Sequence, residues 1–307
     1  MYLLLDSKKI WWVVPLLLVI TSGFVFKSDL FSAFNTLGNN LSYKVYALHL
    51  PDTLNFADES IPMTSPDLRE RLDRELLVNT YWQSNMMLLH KRSNKYFPEI
   101  ERILEEEGVP TDFKYLAVIE SGLENVRSPA GAKGFWQIMR TTGKEYGLEI
   151  NSNVDERYHL ELSTRVAATY LKKAKKKFGS WILAAAAYNR GMTGINRNLN
   201  TQKVNGYFDL LLGQETSRYV FRILAVKEII ENPSRYGYIF NENDLYKSIP
   251  VRLHGLDTPI NNIASFAKKM GVNYKILKIH NPWLIQNHLN NKSRKYYEIA
   301  IPEEGYY

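Results

Sequence analysis

The sequence predicts a mainly α-helical protein that begins with a membrane-spanning helix and closes in a small βααβ unit. Three observations carry that expectation. Residues 10–26, "IWWVVPLLLVITSGFVF", form an uncharged run of 17, close to the ~20 residues that cross a bilayer. From residue 65 to residue 231, apolar side chains recur at helical spacing in one segment after another. Beyond residue 241, two short strand-like runs flank two short helical ones.

At the N-terminus, Lys8 and Lys9 precede the apolar run and Lys27 follows it. Lysines in that position keep the start of the chain in the cytoplasm and send the remainder across the membrane. A cleaved signal peptide shares these features. No clear small-x-small cleavage site follows, which favours an uncleaved anchor over residues 1–27, and both readings export the rest. Residues 28–64 show no sustained period and read as a linker or loosely packed arm. Ser65-Pro66 then reads as an N-cap with proline at the first helical position, and Leu68, Leu72 and Leu76 carry a helix to about Leu89, with Arg71 and Glu75 pairing on its outer face.

A second helix is expected to open at Pro98, with Ile100, Ile103 and Leu104, and to close at Gly108. In a third, capped by Thr111, the residues Phe113, Leu116, Ala117 and Glu120 stand at i, i+3, i+4 and i+7 and share one face, so a carboxylate ends an apolar stripe. Residues 163–178 place Ala167, Leu171, Ala174 and Phe178 on one side and lysines 172, 173, 175, 176 and 177 largely on the other, with Gly179 as the stop. "SWILAAAAYNRG" has almost no polar face before Tyr188 and Asn189 and reads as a central buried helix. Residues 215–231, with Tyr219, Val220, Ile223 and Leu224, form another that halts before Pro233. At the C-terminus "KSIPVRLHG" and "KYYEIAIP" read as strands, with helices in "NNIASFAKKMG" and "NYKILKIHNP" between them.

Composition narrows the function. With 45% hydrophobic and 23% charged residues the chain has the make-up of a folded protein rather than a disordered one. A net charge of +7 favours an anionic partner: nucleic acid, a phospholipid surface, or a polymer bearing carboxylates. The absence of cysteine excludes disulfides, thiolate metal sites and a cysteine-borne lipid. No H-E-x-x-H, P-loop or dinucleotide fingerprint occurs, so no metal and no cofactor is expected. The lysine run at 172–177 reads as a solvated face, and an exported chain meets no genome, so nucleic acid is not an expected partner.

Glu120 is the residue that calls for chemistry. Burial makes a carboxylate costly to ionise, raises its pKa, and leaves it able to donate a proton. The alternative is a helix-end glutamate emerging into solvent. The loop after it carries Ser128, Gly131, Ala132 and Gly134, small enough for another chain to approach, and Phe135, Trp136 and Gln137, which offer aromatic walls and an amide. Stacking plus hydrogen bonding is how sugars are held, so the mixture fits a saccharide groove.

The stretch "ESGLENVRSPAGAKGFWQIM" resembles the signature of the soluble-lytic-transglycosylase (SLT) domain, Glu-Ser followed by Gly-x-x-Gln. "VDERYHLELSTRVAATYL", "AAAYNRG" and "ETSRYVFRILA" follow in the family's order, and the likeness spans residues 97–231. The closing unit, with "LDTPINNIASFAKKMGVNYKILKIHNPWL" and "YYEIAIP", resembles a LysM module, though Gly255-Leu256-Asp257-Thr258 carries a leucine inserted into the usual Gly-Asp-Thr. The pairing of the two is similar to the membrane-bound lytic transglycosylase D type. The resemblance implies a lysozyme-like domain over 65–240, a LysM-like module over 241–307, a periplasmic location, and peptidoglycan glycan strands as partner. It implies cleavage of the MurNAc–GlcNAc β-1,4 bond with Glu120 as acid and base, and Ser121, Trp136, Gln137, Tyr188, Asn189 and Tyr219 as groove residues. Phe135-Trp136 replaces the commoner Leu-Met pair before the glutamine, which bears on subsite shape. Two alternatives keep the fold: a non-catalytic, membrane-tethered peptidoglycan-binding protein, and a hydrolase of the goose-lysozyme type. A module that only packs on the catalytic domain is the alternative to glycan binding by the LysM-like unit.

Overall fold

A computed structural model of the chain describes residues 45–303. The membrane-spanning helix expected at residues 10–26 lies outside the described residues, and among those described no helix is long and apolar enough to cross a membrane. From Leu48 onward the chain forms one compact unit. It is mainly helical, and its strands make two small antiparallel pairs: β1 (Asn55–Phe56) with β2 (Glu59–Ser60), and β3 (Val251–Leu256) with β4 (Tyr297–Pro302).

Residues 48–64 are not the loose arm that their lack of period suggests. Phe56, Ala57, Ile61 and Met63 are buried in the main core, and the Phe56 ring meets Phe113 edge-on at 5.0 Å. Glu59 then ties the hairpin to a distant helix. Its carboxylate accepts from the backbone N–H of Trp181 at 2.5 Å and of Ile182 at 3.2 Å, from the Ser180 hydroxyl at 2.6 Å, and from Lys175 at 2.8 Å. An anion on the unpaired amides of a helix N-terminus is favourable twice over, through hydrogen bonding and through the helix dipole. Desolvation works against the ionised form, yet these four partners outweigh it and hold the Glu59 pKa below its usual 4.5.

Helix α1 (Pro66–Tyr81) starts behind Ser65 as expected but stops at Tyr81, and α2 (Gln83–Glu106) follows after Trp82. Pro98 does not open a helix; it lies inside α2. An internal proline forfeits one backbone hydrogen bond and strains the preceding turn. Burial of Met86, Leu89, Phe97, Ile100, Ile103 and Leu104 along the same helix offsets that, while Pro98 itself faces solvent. Gly108, at φ 66°, closes the end. Glu75, expected on the outer face with Arg71, is buried and pairs instead with Arg218 at 2.7 Å, while Arg71 reaches Asp67. A single carboxylate thus joins α1 to a helix far along the chain.

Thr111 begins a 3-10 turn, Thr111–Phe113, rather than capping a helix, and α3 (Lys114–Ser121) runs on from it. The short α4 (Arg140–Glu145) leads to α5 (Leu160–Phe178), which ends at Gly179 with φ 72°. In α6 (Trp181–Arg190), residues Ile182 to Ala187 are all buried, and the run of alanines lets neighbouring helices approach closely. α7 (Met192–Gln202) and α8 (Gln214–Glu231) complete this bundle.

The C-terminal unit matches its predicted order: β3, α9 (Ile263–Lys269), α10 (Tyr274–His280), β4. Asn262 and Asn273 cap the two helices by accepting from Ser265 and Ile276 N–H. This unit is built into the bundle, not tethered to it. Val154 belongs to its hydrophobic cluster with Leu277, Trp283, Leu284 and Ile299, and backbone hydrogen bonds run from Asp155 N to Trp283 O and from Ile285 N to Asn153 O, both 2.9 Å. Lys295 adds ion pairs to Glu149 and Glu156 at 2.7 Å each.

Candidate active site

Glu120 occupies the last turn of α3. The helix is short because Gly122 takes the left-handed conformation at φ 63° and its N–H closes on Val118 O at 2.8 Å. Arg92 fixes this end from α2 by donating to Gly122 O at 3.0 Å. Phe113, Leu116 and Ala117 are fully buried along the stripe that Glu120 ends, and Glu120 itself is half-buried.

Burial pushes the Glu120 pKa above its usual 4.5; a hydrogen bond from Tyr219 and the charge of Arg222 oppose the rise, and the charge of Glu215 adds to it. The last turn of a helix, where carbonyl oxygens converge, also disfavours negative charge. The Tyr219 hydroxyl donates to Glu120 Oε1 at 2.5 Å. Desolvation, together with the nearby Glu120 charge, holds the phenols of Tyr219 and Tyr188 well above 10.0, so both remain protonated donors.

Tyr188 lies close enough to feel the Glu120 charge, and the other named residues build the ends of α3 and α6 and the loop after α3. The Ser121 hydroxyl lies 2.9 Å from Phe135 O and 3.0 Å from Ala117 O, joining the end of α3 to the following loop. Tyr188, from the end of α6, donates to Trp136 O at 2.8 Å. Asn189 Oδ1 accepts from the Thr216 hydroxyl at 2.8 Å, which fastens the end of α6 to the start of α8 three residues before Tyr219. Gln137 sits in the same loop with φ 47°, and its amide donates to Gly134 O at 2.8 Å and Val126 O at 3.3 Å. Its side chain therefore braces the loop from within.

Trp136 is a correction. Its indole is fully buried, with Nε1 donating to the Thr164 hydroxyl at 2.8 Å, and Phe135 is buried as well. Neither ring is an exposed aromatic wall; both anchor the loop so that its carbonyls meet Ser121 and Tyr188. Gly134 shows how tight the anchoring is. At φ 78°, a Cβ there would stand 2.0 Å from Arg157 O, so only glycine fits. Arg157 in turn donates to Gly131 O and Ile138 O and makes a two-pronged pair with Asp155, Nε–Oδ1 and Nη2–Oδ2 both 2.8 Å.

The sequence does not single out Thr216, Glu215 or Arg222, yet the charges of Glu215 and Arg222 act on the acid and Thr216 holds Asn189. Arg222 reaches Ile119 O at 3.3 Å and Glu215 at 3.2 Å. The spacing of Thr216, Tyr219 and Arg222, three apart on one helix face, was the available signal. Glu99, on α2, also has its pKa raised, by desolvation and by the charge of Glu161, whereas Glu215, Glu124 and Asp155 are each held by a cation. Glu215 is exposed and paired with Arg222, Glu124 pairs with Arg92 at 2.7 Å, and Asp155 is buried between Arg157 and Lys133. Among the described residues no His, Cys, Asp and Glu cluster has the make-up of a metal site. The arrangement is a carboxyl whose pKa burial raises, oriented by the Tyr219 phenol.

Residues 98–210 match the transglycosylase SLT domain family, and residues 254–305 match the soluble lytic transglycosylase C-terminal LysM-like domain. The chain thus carries an SLT domain followed by a LysM-like domain. Tyr219 lies beyond the first match, and the fold brings it back to Glu120. Membrane-bound lytic murein transglycosylase D of Escherichia coli strain K12 is 28% identical over 262 residues, 82% of this chain and 56% of that protein, so the chain spans about half the length of that relative. Two solved structures align over less. The 70 kDa soluble lytic transglycosylase of Escherichia coli has TM-score 0.39 and 24% identity over 45% of this chain and 24% of its own. An inactive mutant of lytic transglycosylase Slt from Pseudomonas aeruginosa has TM-score 0.38 and 21% identity over 48% and 26%.

Proposed function

We propose that this protein is a peptidoglycan lytic transglycosylase that cleaves the MurNAc–GlcNAc β-1,4 bond and leaves a 1,6-anhydro-MurNAc end. The observation that supports the reading is the Tyr219-held, partly buried Glu120 carboxyl, whose nearest carboxylate among the described residues that acts on it, Glu215, is paired with Arg222. Two-carboxylate glycosidases need either a nucleophile or a base for water opposite the acid. With one carboxyl, the substrate supplies the nucleophile. Glu120 protonates the glycosidic oxygen as the bond from C1 breaks, and the GlcNAc O4 leaves as an alcohol. The N-acetyl group supports the positive charge developing at C1. The MurNAc C6 hydroxyl then attacks C1 and gives its proton to the Glu120 carboxylate, which restores the acid without consuming water. Ser121, Gln137, Tyr188, Asn189 and Tyr219 shape the saccharide groove in this reading, with Trp136 supporting from inside.

The layout that goes with it is a membrane anchor or signal segment over residues 1–27, an SLT domain over 65–240 and a LysM-like module over 241–307, facing the periplasm. Digested sacculi should yield anhydro-muropeptides with wild type and none with Glu120→Gln; equal clearing by both would rule out Glu120 as the acid.

The pH dependence gives an independent check. Tyr219 donates to the ionised carboxylate and so favours it; in Tyr219→Phe that support is lost and the Glu120 pKa rises further. The falling limb of kcat/KM at high pH, where the acid form disappears, should therefore move to higher pH in Tyr219→Phe. A limb that stays in place or moves down would remove Tyr219 from the acid's environment.

A further inference from the structure

Arg222 joins α8 to the peptide that carries the acid. α3 and α8 pack together, and Glu215, Tyr219 and Arg222 follow one another at four and three residues along α8, on one face of it. Tyr219 holds the Glu120 carboxyl, while Arg222 Nη2 donates at 3.3 Å to Ile119 O, the carbonyl of the residue before it. That carbonyl lies in the last turn of α3, where partners inside the helix run out. A cation supplied there completes the helix end and offsets its converging carbonyl dipoles. Arg92 does the same from α2 for Gly122 O at 3.0 Å, so guanidinium groups from two helices pin the carbonyls on either side of Glu120.

The other edge of the guanidinium is differently placed. Arg222 Nη1 pairs with Glu215 at 3.2 Å, but the Glu215 side chain is 69% exposed and an ion pair open to water contributes little. Glu215 also acts on Arg218. The tie to the helix end is thus the one that sets where Arg222 stands. Its hydrogen bonds go to Ile119 and Glu215 rather than to the Glu120 carboxyl, on which it acts through its charge. Of the groups facing Glu120, Tyr219 and Tyr188 are neutral phenols from α8 and α6, Glu215 is anionic, and Arg222 is the cation that opposes desolvation.

A group that serves first as acid and then as base is a carboxylate for part of the reaction. An arginine paired directly with it would strip the proton before the glycosidic oxygen could take it. A cation held at the neighbouring residue leaves the proton in place at the start and stabilises the charge that appears when the proton moves. That difference lowers a barrier, where equal stabilisation of both stages would not. We propose that Arg222 is a positioning residue: from α8 it fixes the Ile119–Glu120 peptide and presents a cation to Glu120 while that side chain is without its proton. The proposal rests on the reading of Glu120 as the acid and gives α8 a second task beside that of Tyr219.

Two replacements separate charge from structure. Arg222→Gln keeps a donor for Ile119 O and removes the charge; Arg222→Lys keeps the charge and gives up the fork that serves two partners. In Arg222→Gln, kcat should fall about tenfold, a decade short of the smallest loss attached to a general acid itself, while KM holds. The high-pH limb of kcat/KM should move up, because the charge that opposes the rise in the Glu120 pKa is gone. Arg222→Lys should return the limb to its wild-type place and recover most of kcat. The Glu120 carboxyl, followed by carbon-13 NMR of side-chain-labelled glutamate and assigned by its absence in Glu120→Gln, should titrate at higher pH in Arg222→Gln than in wild type. A limb and a carboxyl titration that stay in place in Arg222→Gln, with or without a loss in Tm, overturn the proposal. So does an Arg222→Lys protein no better than Arg222→Gln. In both cases an inactive Glu120→Gln leaves the acid where it is. If Glu120→Gln clears sacculi as fast as wild type, the reading of Glu120 fails and the proposal with it.

Discussion

Replacing Glu120 by Gln is expected to reduce turnover of peptidoglycan by at least about 100-fold to 10,000-fold, the range attached to a positioned general acid and base, and at the same time to make the fold more stable at neutral pH. The two effects share a cause. Burial raises the Glu120 pKa in the folded state, whereas the unfolded chain ionises it near 4.5. Between 4.5 and the raised value the unfolded chain has released a proton that the native protein still holds, so stability falls as pH rises through that window and stays lower above it. Glutamine cannot ionise and is spared that loss. The difference in Tm between Glu120→Gln and wild type should be small below pH 4.5 and grow in favour of the variant towards pH 7, followed by calorimetry across a pH series. A variant that is inactive and also less stable at every pH would mean that Glu120 is a structural carboxylate.

The second large effect is on the scaffold. Asp155→Ala should destabilise the protein by about 3–5 kcal/mol, because it strands the buried Arg157 guanidinium without its counter-charge. Arg157 also donates to Gly131 O and Ile138 O, so the loop that meets Ser121 and Tyr188 should loosen and activity fall with stability. A double replacement, Asp155→Ala with Arg157→Met, removes both charges and should recover much of the stability but not the loop's order. Denaturant midpoints and activity of the three proteins check this; an Asp155→Ala protein as stable as wild type would contradict the account of the loop. Desolvation acts to raise the Asp155 pKa, but the hydrogen bonds from Arg157 and Lys133 prevail and hold it below 3.8. Its contribution is therefore present above pH 3.8 and lost as pH falls through the lowered value.

What the sequence made legible, and what it hid, follows from the range of the interactions. The apolar stripe ending at Glu120, the alanine-rich α6 and the βααβ order of the last unit are local patterns, and each appears where periodicity put it. The resemblance groups Tyr188, Asn189 and Tyr219 with Glu120; of these, Tyr219 donates to its carboxyl and Tyr188 lies within reach of its charge. Contacts over long separations were not readable. Nothing near Glu59 announces that it will sit on the N-terminus of α6, and nothing near Val154 announces that it joins the core of the C-terminal unit. Trp136 illustrates a subtler failure. An aromatic residue beside a motif glutamine fits a sugar-binding wall, but the left-handed backbone at Gln137 and the Thr164 hydroxyl awaiting the indole both belong to the folded loop. Pro98 misled because proline marks helix starts statistically, while the burial of Phe97 and Ile100 on either side outweighs its local cost.

The central claim is that one carboxyl performs both proton transfers and that water takes no part. Digestion of sacculi in water enriched in heavy oxygen tests it most directly, by mass spectrometry of the released muropeptides. The account predicts products one water lighter than reducing-end muropeptides, with no heavy oxygen at MurNAc C1. Reducing ends carrying the label at C1 would show that water is the nucleophile and that the protein is a hydrolase.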